Sequence, residues 1–199
     1  MSLLDLVSEH IGEGQVEQIA NQLGASKEQT ENAIGMALPT LLGAVAKKAE
    51  GDDGIAEIDQ QLNGLDGSVF DQLGSLLQSD SPQSGIQALG GSGDLLGSIL
   101  GGRKGRVESG IGKASGLSGG QVGSLLGMLA PLVMGAIGKR KQSDNMDLGG
   151  LSGMLRGERE NIENQSKGGL LAGLLDQDGD GDFDFSDVMQ MGMKRLFNR

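Results

Sequence analysis

The sequence matches itself without a gap, and this more than anything else limits what the chain can fold into. Sliding it by 92 positions lays LGASKEQTENAIGMALPTLLGAVAKKA (23–49) over SGLSGGQVGSLLGMLAPLVMGAIGKRK (115–141). Nine of the 27 aligned positions are identical: Gly24/Gly116, Ser26/Ser118, Gln29/Gln121, Gly35/Gly127, Met36/Met128, Pro39/Pro131, Gly43/Gly135, Ala44/Ala136 and Lys47/Lys139. Each copy, about 15–49 and about 107–141, reads as a short amphipathic helix, a Gly-containing turn, an N-capping Ser and a long apolar helix. A helical hairpin of this kind cannot bury its own apolar surface, so two copies predict one shared core.

Periodicity is helical nearly throughout, and no segment alternates as a half-buried strand does. Leu3, Leu4, Val7 and Ile11 share one face, as do Val16, Ile19, Ala20 and Leu23. Ser26 with Gln29 three residues later forms a capping-box pattern, which predicts a helix from there to about Lys48. Further helices are expected over 68–78, 94–100, 103–114 and 118–140, with loops at the Gly/Ser/Asp clusters 51–54, 79–85, 90–94 and 142–150. The fold class is therefore all-α. Both long helices carry a Gly–Pro–Gly ladder at i, i+4 and i+8, with Gly35, Pro39 and Gly43 answered by Gly127, Pro131 and Gly135. That spacing puts the three on one face, where tight helix crossing within a core, or a groove for a partner helix or lipid, would explain them.

With no cysteine, the chain can form neither a disulfide scaffold, a Cys-ligated zinc site nor a thiol nucleophile, and its single histidine, His10, disfavours a His-based triad or multi-His metal cluster. Net charge is −11, but unevenly placed: −8 over 1–60, −4 over 61–102, +6 over 103–141 and −5 over 142–199. An acidic chain repels nucleic acid and anionic lipid at long range, so either partner would have to use the basic stretch from Arg103 to Lys141. That stretch is expected to pair with the acidic remainder. The start MSLLDLVSEHIGEG has Asp5 and Glu9 where a signal peptide needs an unbroken apolar core, so a cytoplasmic location is expected. The uncharged run from Gly116 to Gly138 approaches bilayer length but contains Pro131, Gln121 and several Ser and Gly, a poor composition for a span.

The stretch GDLLGSILGGRKGRVESGIGKASGLSGGQVGSLLGMLAPLVMGAIGKRKQ (93–142) resembles the bacterial YidB-like family, domain of unknown function 937. The first copy, with ALPTLLGAVAKKA, is similar to the amino-terminal half of that domain, so the resemblance covers roughly 1–142. It implies a helical, mostly cytoplasmic bacterial protein and brings no catalytic residues with it.

The densest chemical signal lies near the C-terminus, in DQDGDGDFDFSD. A calcium loop of the EF-hand type needs side-chain oxygens at positions 1, 3 and 5, Gly at 6, a backbone carbonyl at 7, a ligand often acting through water at 9 and a bidentate carboxylate at 12. Asp176, Asp178 and Asp180 fill 1, 3 and 5; Gly181 is 6, Asp182 offers its carbonyl at 7, Asp184 is 9 and Asp187 is 12. Phe183 at position 8 can anchor the loop to a core, and LLAGLL before and SDVMQMGMKRLF after read as entering and exiting helices. Six carboxylates in twelve residues repel one another unless a cation sits among them, and a solvated acidic tail has no use for Gly at 6 or Phe at 8. Ca²⁺ is the expected ligand, with Mg²⁺ the alternative. Asp in place of Glu at position 12 resembles dockerin-like loops; its shorter side chain must bring its helix closer to keep bidentate contact.

Other patterns are weaker. QIANQLGASKEQTENAI (18–34) has the small residue, turn and second-helix start of a helix-turn-helix at Ala20, Gly24 and Ser26, but Glu28 and Glu31 would repel phosphates. His10, beside Glu9 and Glu13, reads as a solvated residue, and GGSGDLLGSILGGRKG lacks the GK[ST] of a phosphate loop. The organisation expected is a two-repeat helical domain over 1–142, a Gly/Asp/Ser linker over 143–165 and an EF-hand-like unit over 166–199. Function is expected to be non-catalytic: calcium orders the C-terminal helix pair and presents Met189, Met193 and Phe197 to a protein partner or a second copy of the chain. The runner-up is a membrane-surface or lipid-associated module using the Gly-rich helices and the basic 103–141 segment, and nucleic acid is not an expected partner.

Overall fold

The computed structural model describes residues 2–64 and 92–167, and among these every regular element is a helix. Helix α1 spans Leu3–His10 and opens on Ser2, whose hydroxyl accepts the Asp5 N–H while the Asp5 carboxylate accepts the Ser2 N–H. Helix α2, Glu13–Leu23, stops at Gly24, which takes the left-handed conformation (φ 63°) that glycine adopts without steric penalty. The Ala25 N–H then reaches back to the Ala20 carbonyl at 2.9 Å, satisfying an otherwise orphaned acceptor. Helix α3 follows as Lys27–Lys48, with Ser26 and Gln29 making the expected capping box. Helix α4 is Asp52–Gly64.

The second described stretch opens with α5, Ser92–Leu100, a 3-10 turn at Gly101–Arg103, and α6, Lys104–Ser115. Gly116 ends α6 in the left-handed region (φ 79°), and Ser118 with Gln121 caps α7, Gly119–Ser143. Helix α8, Leu148–Lys167, comes after a short turn in which the Asp147 carboxylate accepts the Gly150 N–H at 2.8 Å. The contacts divide the chain into residues 1–158 and 159–199.

Helix α7 is the axis of the first unit. Every residue from Leu125 to Gly138 is buried, and α7 packs against α1, α2, α3, α4, α5 and α6. A helix that is apolar all round is either a core helix or a membrane span. Helix α7 is long and apolar enough to cross a bilayer, yet 78% of its most apolar window is buried inside the fold. Helix α3 supplies the opposing surface through Ala33, Ala37, Leu38, Leu41, Leu42 and Val45, each at most 2% exposed. Burying a Leu side chain stabilises by about 1.5–3 kcal/mol, so this α3–α7 seam is a major contributor to the stability of the unit.

Three expectations change. The 51–54 cluster is not a loop but the start of α4, where Asp52 and Asp53 sit in the first turn and Ile55, Ile58 and Leu62 face the core. Acidic side chains favour a helix N-terminus, so two Asp there start a helix rather than prevent one. The stretch 143–165, read as a linker, is helical from Leu148 onward, because Leu151 and Leu155 bury completely at i, i+4 spacing. The Gly–Pro–Gly ladders also differ from each other. Gly127, Pro131 and Gly135 are buried, whereas Gly35 is exposed, Pro39 and Gly43 are half-buried, and nothing lies within 4 Å of a Cβ built on Gly35 or Gly43. Tight helix crossing therefore does not explain the α3 glycines. The helix expected over 68–78 and the loop over 79–85 lie outside the described residues.

Candidate functional site

Asp176, Asp178, Asp180, Asp182, Asp184 and Asp187 lie outside the described residues, as do Phe183, Met189, Met193 and Phe197. The described chain reaches toward them through α8, which ends at Lys167. Among the described residues no group of three or more His, Asp or Glu side chains lies close enough to hold a metal ion. The His10 side chain is also outside what the structure describes.

What the structure does bring together are polar groups that lock the helices. At the two hairpin turns, each capping-box glutamine does two jobs. The Gln29 Oε1 accepts the Ser26 N–H while its Nε2 donates to the Gly116 carbonyl at 3.1 Å. The Gln121 Oε1 likewise accepts the Ser118 N–H at 2.8 Å while its Nε2 donates to the Leu23 carbonyl at 2.8 Å. Leu23 and Gly116 are the last residue of α2 and the first beyond α6, so each glutamine caps one helix start and the opposite helix end.

Helix α4 is pinned on two sides by lysines at helix ends. The Lys48 side chain is 18% exposed; its Nζ pairs with Glu57 at 2.7 Å and donates to the Ser98 carbonyl at 3.1 Å, while the Ser98 hydroxyl donates to Glu57 at 2.7 Å. The Lys48 ammonium, and after it the Ser98 hydroxyl, hold the Glu57 carboxyl below its ordinary value. Gln61 Nε2 adds a bond to the Ser98 hydroxyl at 2.9 Å, leaving its own buried Oε1 without a partner. On the other side Lys141 of α7 pairs with Asp59 and reaches Asn63 Oδ1 at 3.4 Å. One cation of the basic stretch, Lys141, thus meets an acidic residue of the first sixty, Asp59.

A third contact joins residues far apart in sequence. Glu158 of α8 is 7% exposed, and its Oε1 accepts the Leu4 N–H at 3.1 Å. Leu4 lies in the first turn of α1, where the helix dipole favours a negative group. Sequence reading missed this residue. The available signal was the apolar row Leu151, Leu155 and Ile162 with Glu158 inside it at helical spacing.

One cleft of about 450 Å³ opens along α6 and the start of α7, lined by Gly105, Glu108, Ser109, Gly112, Lys113 and Gly119. At the positions 92 residues earlier than Gly105 and Gly119 stand Glu13 and Lys27, whose side chains pair at 4.0 Å. Two glycines in place of an ion pair leave the space open. Its carboxylate is already engaged, since Lys104 lies 3.8 Å from Glu108. On the helix-turn-helix pattern, Lys27 at the start of α3 sits between Glu13 and Glu31, the latter at 3.7 Å, so its charge is screened by carboxylates.

The α2–α3 and α6–α7 hairpins, with the short helices α1 and α5 before them, carry the sequence pattern that residues 5–140 share with the bacterial protein of unknown function family (DUF937). This chain belongs to that family. The DUF937 match begins within α1 and ends within α7, so α8 and the Asp-rich loop lie beyond it. No curated protein and no solved structure matches the chain.

Proposed function

We propose that this protein is a non-catalytic, cytoplasmic calcium-binding interaction or assembly protein: a DUF937 helical domain followed by an EF-hand-like loop that orders the C-terminal helices around Ca²⁺. The spacing of Asp176, Asp178, Asp180, Gly181, Asp184 and Asp187 carries the reading, because it meets the oxygen-ligand and turn requirements of the twelve-residue loop at every position. Asp182 supplies its carbonyl. Mg²⁺ is the alternative ion, because the shorter Asp187 at position 12 weakens the bidentate contact that favours Ca²⁺. A single loop lacks the paired second loop that makes a switch, and self-association of two chains would supply one.

The DUF937 domain is, on this proposal, a duplication. In its favour stand the 92-residue offset, the matched caps at Ser26 and Ser118, and the reciprocal bonds from Gln29 and Gln121. The same offset also lays Leu3, Leu4 and Val7 over Leu95, Leu96 and Ile99, one residue pattern ahead of each hairpin.

A melt followed with chelator, Ca²⁺ or Mg²⁺ tests the metal. Ca²⁺ raises the melting temperature by mass action if it binds the folded chain, and Asp176→Ala abolishes the rise. No change on adding Ca²⁺ rejects the reading. A membrane-surface or lipid-associated role, using the Gly-rich helices and the basic 103–141 segment, is the second reading. Co-sedimentation with anionic but not neutral vesicles, lost on neutralising Arg103, Lys104 and Arg106, would replace the first reading with this one.

A further inference from the structure

Helix α8 follows the DUF937 match and precedes the Asp-rich loop, and the way its first half is held differs from the way the core is held. Its sequence is a poor helix on its own account: Gly149, Gly150, Gly153 and Gly157 all fall inside it, and glycine is the weakest helix former after proline. Packing does not require the last two, for nothing lies within 4 Å of a Cβ built on Gly153 or Gly157. The helix is therefore kept folded by docking. Its docking groups among the described residues lie on one face: Leu151 and Leu155, both fully buried, and the Glu158 carboxylate on the Leu4 amide.

The turn before α8 is self-sufficient. The Asn145 N–H bonds the Gln142 carbonyl at 3.2 Å, the Met146 N–H bonds the Lys141 carbonyl at 2.9 Å, and the Asp147 carboxylate caps Gly150. Asn145 takes the left-handed conformation (φ 46°), the one non-glycine with positive φ among the described residues. The first two bonds lie outside the strap and survive if α8 lifts. Release would cost the contacts of Leu151, Leu155 and Glu158 and leave both the turn and the Ser2–Asp5 capping box intact.

We propose that the Leu148–Glu158 half of α8 is a strap that opens from the core as a unit, with the Glu158 carboxylate on the Leu4 amide as its catch. The strap gives the chain a device for exposing the surface beneath Leu151 and Leu155, and the first turn of α1, without unfolding the α3–α7 seam. Local openings of this kind are drawn from the segments with the fewest buried contacts. The proposal does not depend on the calcium reading.

Amide hydrogen exchange on the full chain, resolved by residue, tests it. The amides of 148–158 and the Leu4 amide should exchange together, and faster than buried amides of α3 and α7. Glu158→Ala should accelerate both on the order of tenfold, the loss expected of a buried hydrogen bond to a charged acceptor. Gly153→Ala and Gly157→Ala should each slow both about fivefold, with the α3 and α7 amides unchanged. Should Glu158→Ala not fold, Glu158→Gln keeps an acceptor oxygen and is expected to fall between it and the parent chain. Strap amides that exchange as slowly as those of α7, or a Glu158→Ala effect on 148–158 that leaves Leu4 untouched, would overturn the proposal.

Discussion

Gln29 and Gln121 hold each other's hairpin: each donates its amide to a helix end of the opposite hairpin, at 3.1 Å onto Gly116 and 2.8 Å onto Leu23, while its oxygen caps its own helix. A single side chain thus closes a local and a long-range hydrogen bond. Replacing either by Ala should lower stability by about 1–2 kcal/mol in a urea titration, from a lost cap and a lost cross-bond. Gln121→Glu separates the two roles. It keeps the acceptor for Ser118 but turns a carboxylate oxygen toward the Leu23 carbonyl, so it should be no better than Gln121→Ala. Near-parental stability for Gln121→Glu would show that the cross-bond contributes nothing.

Acid sensitivity should have an identifiable source. The Glu57 carboxyl is held below its ordinary value by Lys48 and Ser98, and the Asp5 carboxyl by the Ser2 N–H and hydroxyl. A depressed folded-state value means the stabilisation is fully present above the unfolded value, about 4.3 for Glu, and is lost as pH falls through the folded value. Glu57→Gln should therefore melt lower at neutral pH but lose less on acidification below about pH 4.3. Because the Glu57 side chain is 48% exposed, the difference should shrink in high salt. Parallel melting curves for Glu57→Gln and the parent across that range would refute the assignment.

Glycines that look alike in sequence should respond oppositely. A Cβ on Gly35 meets nothing within 4 Å, so Gly35→Ala should stabilise α3 by up to about 1 kcal/mol through helix propensity. A Cβ on Gly112 would lie 2.7 Å from the Leu117 carbonyl oxygen, where backbone must move, so Gly112→Ala should destabilise by about 1–3 kcal/mol. Thermal melts of the two variants decide it; the same sign for both would contradict the packing described.

The parts of the fold readable from the sequence are those where one local rule was enough. Ser26 with Gln29 and Ser118 with Gln121 announce their helices, and the helix ends at Gly24 and Gly116 follow from glycine's tolerance of positive φ. Helix α4 was hidden because Asp52, Asp53 and Gly54 look like a loop until Ile55, Ile58 and Leu62 are placed on one face. Helix α8 was hidden by its glycines, which outweigh the sparse apolar row of Leu151, Leu155 and Ile162; its helicity comes from docking Leu151 and Leu155, a tertiary cause. The Glu158–Leu4 bond spans nearly the whole described chain and could not be read from either end. The unequal burial of the two Gly–Pro–Gly ladders has the same origin, since identical spacing does not say which copy occupies the centre.

The loop from Asp176 to Asp187 makes a prediction that depends on one methylene. Position 12 must present both oxygens of a carboxylate to a calcium ion, and Asp187 is shorter by one carbon than the Glu that usually stands there. If the loop binds calcium as proposed, Asp187→Glu supplies the longer carboxylate that bidentate contact needs, so calcium should bind more tightly, on the order of tenfold or about 1.4 kcal/mol. Magnesium should gain little, because its octahedral shell takes one oxygen from such a group and keeps its waters. Calorimetric titration of both chains with both ions measures the selectivity directly. Equal or weaker Ca²⁺ binding by Asp187→Glu would mean that position 12 is not a ligand, and an equal gain for Mg²⁺ would mean that the site responds to charge rather than to coordination geometry.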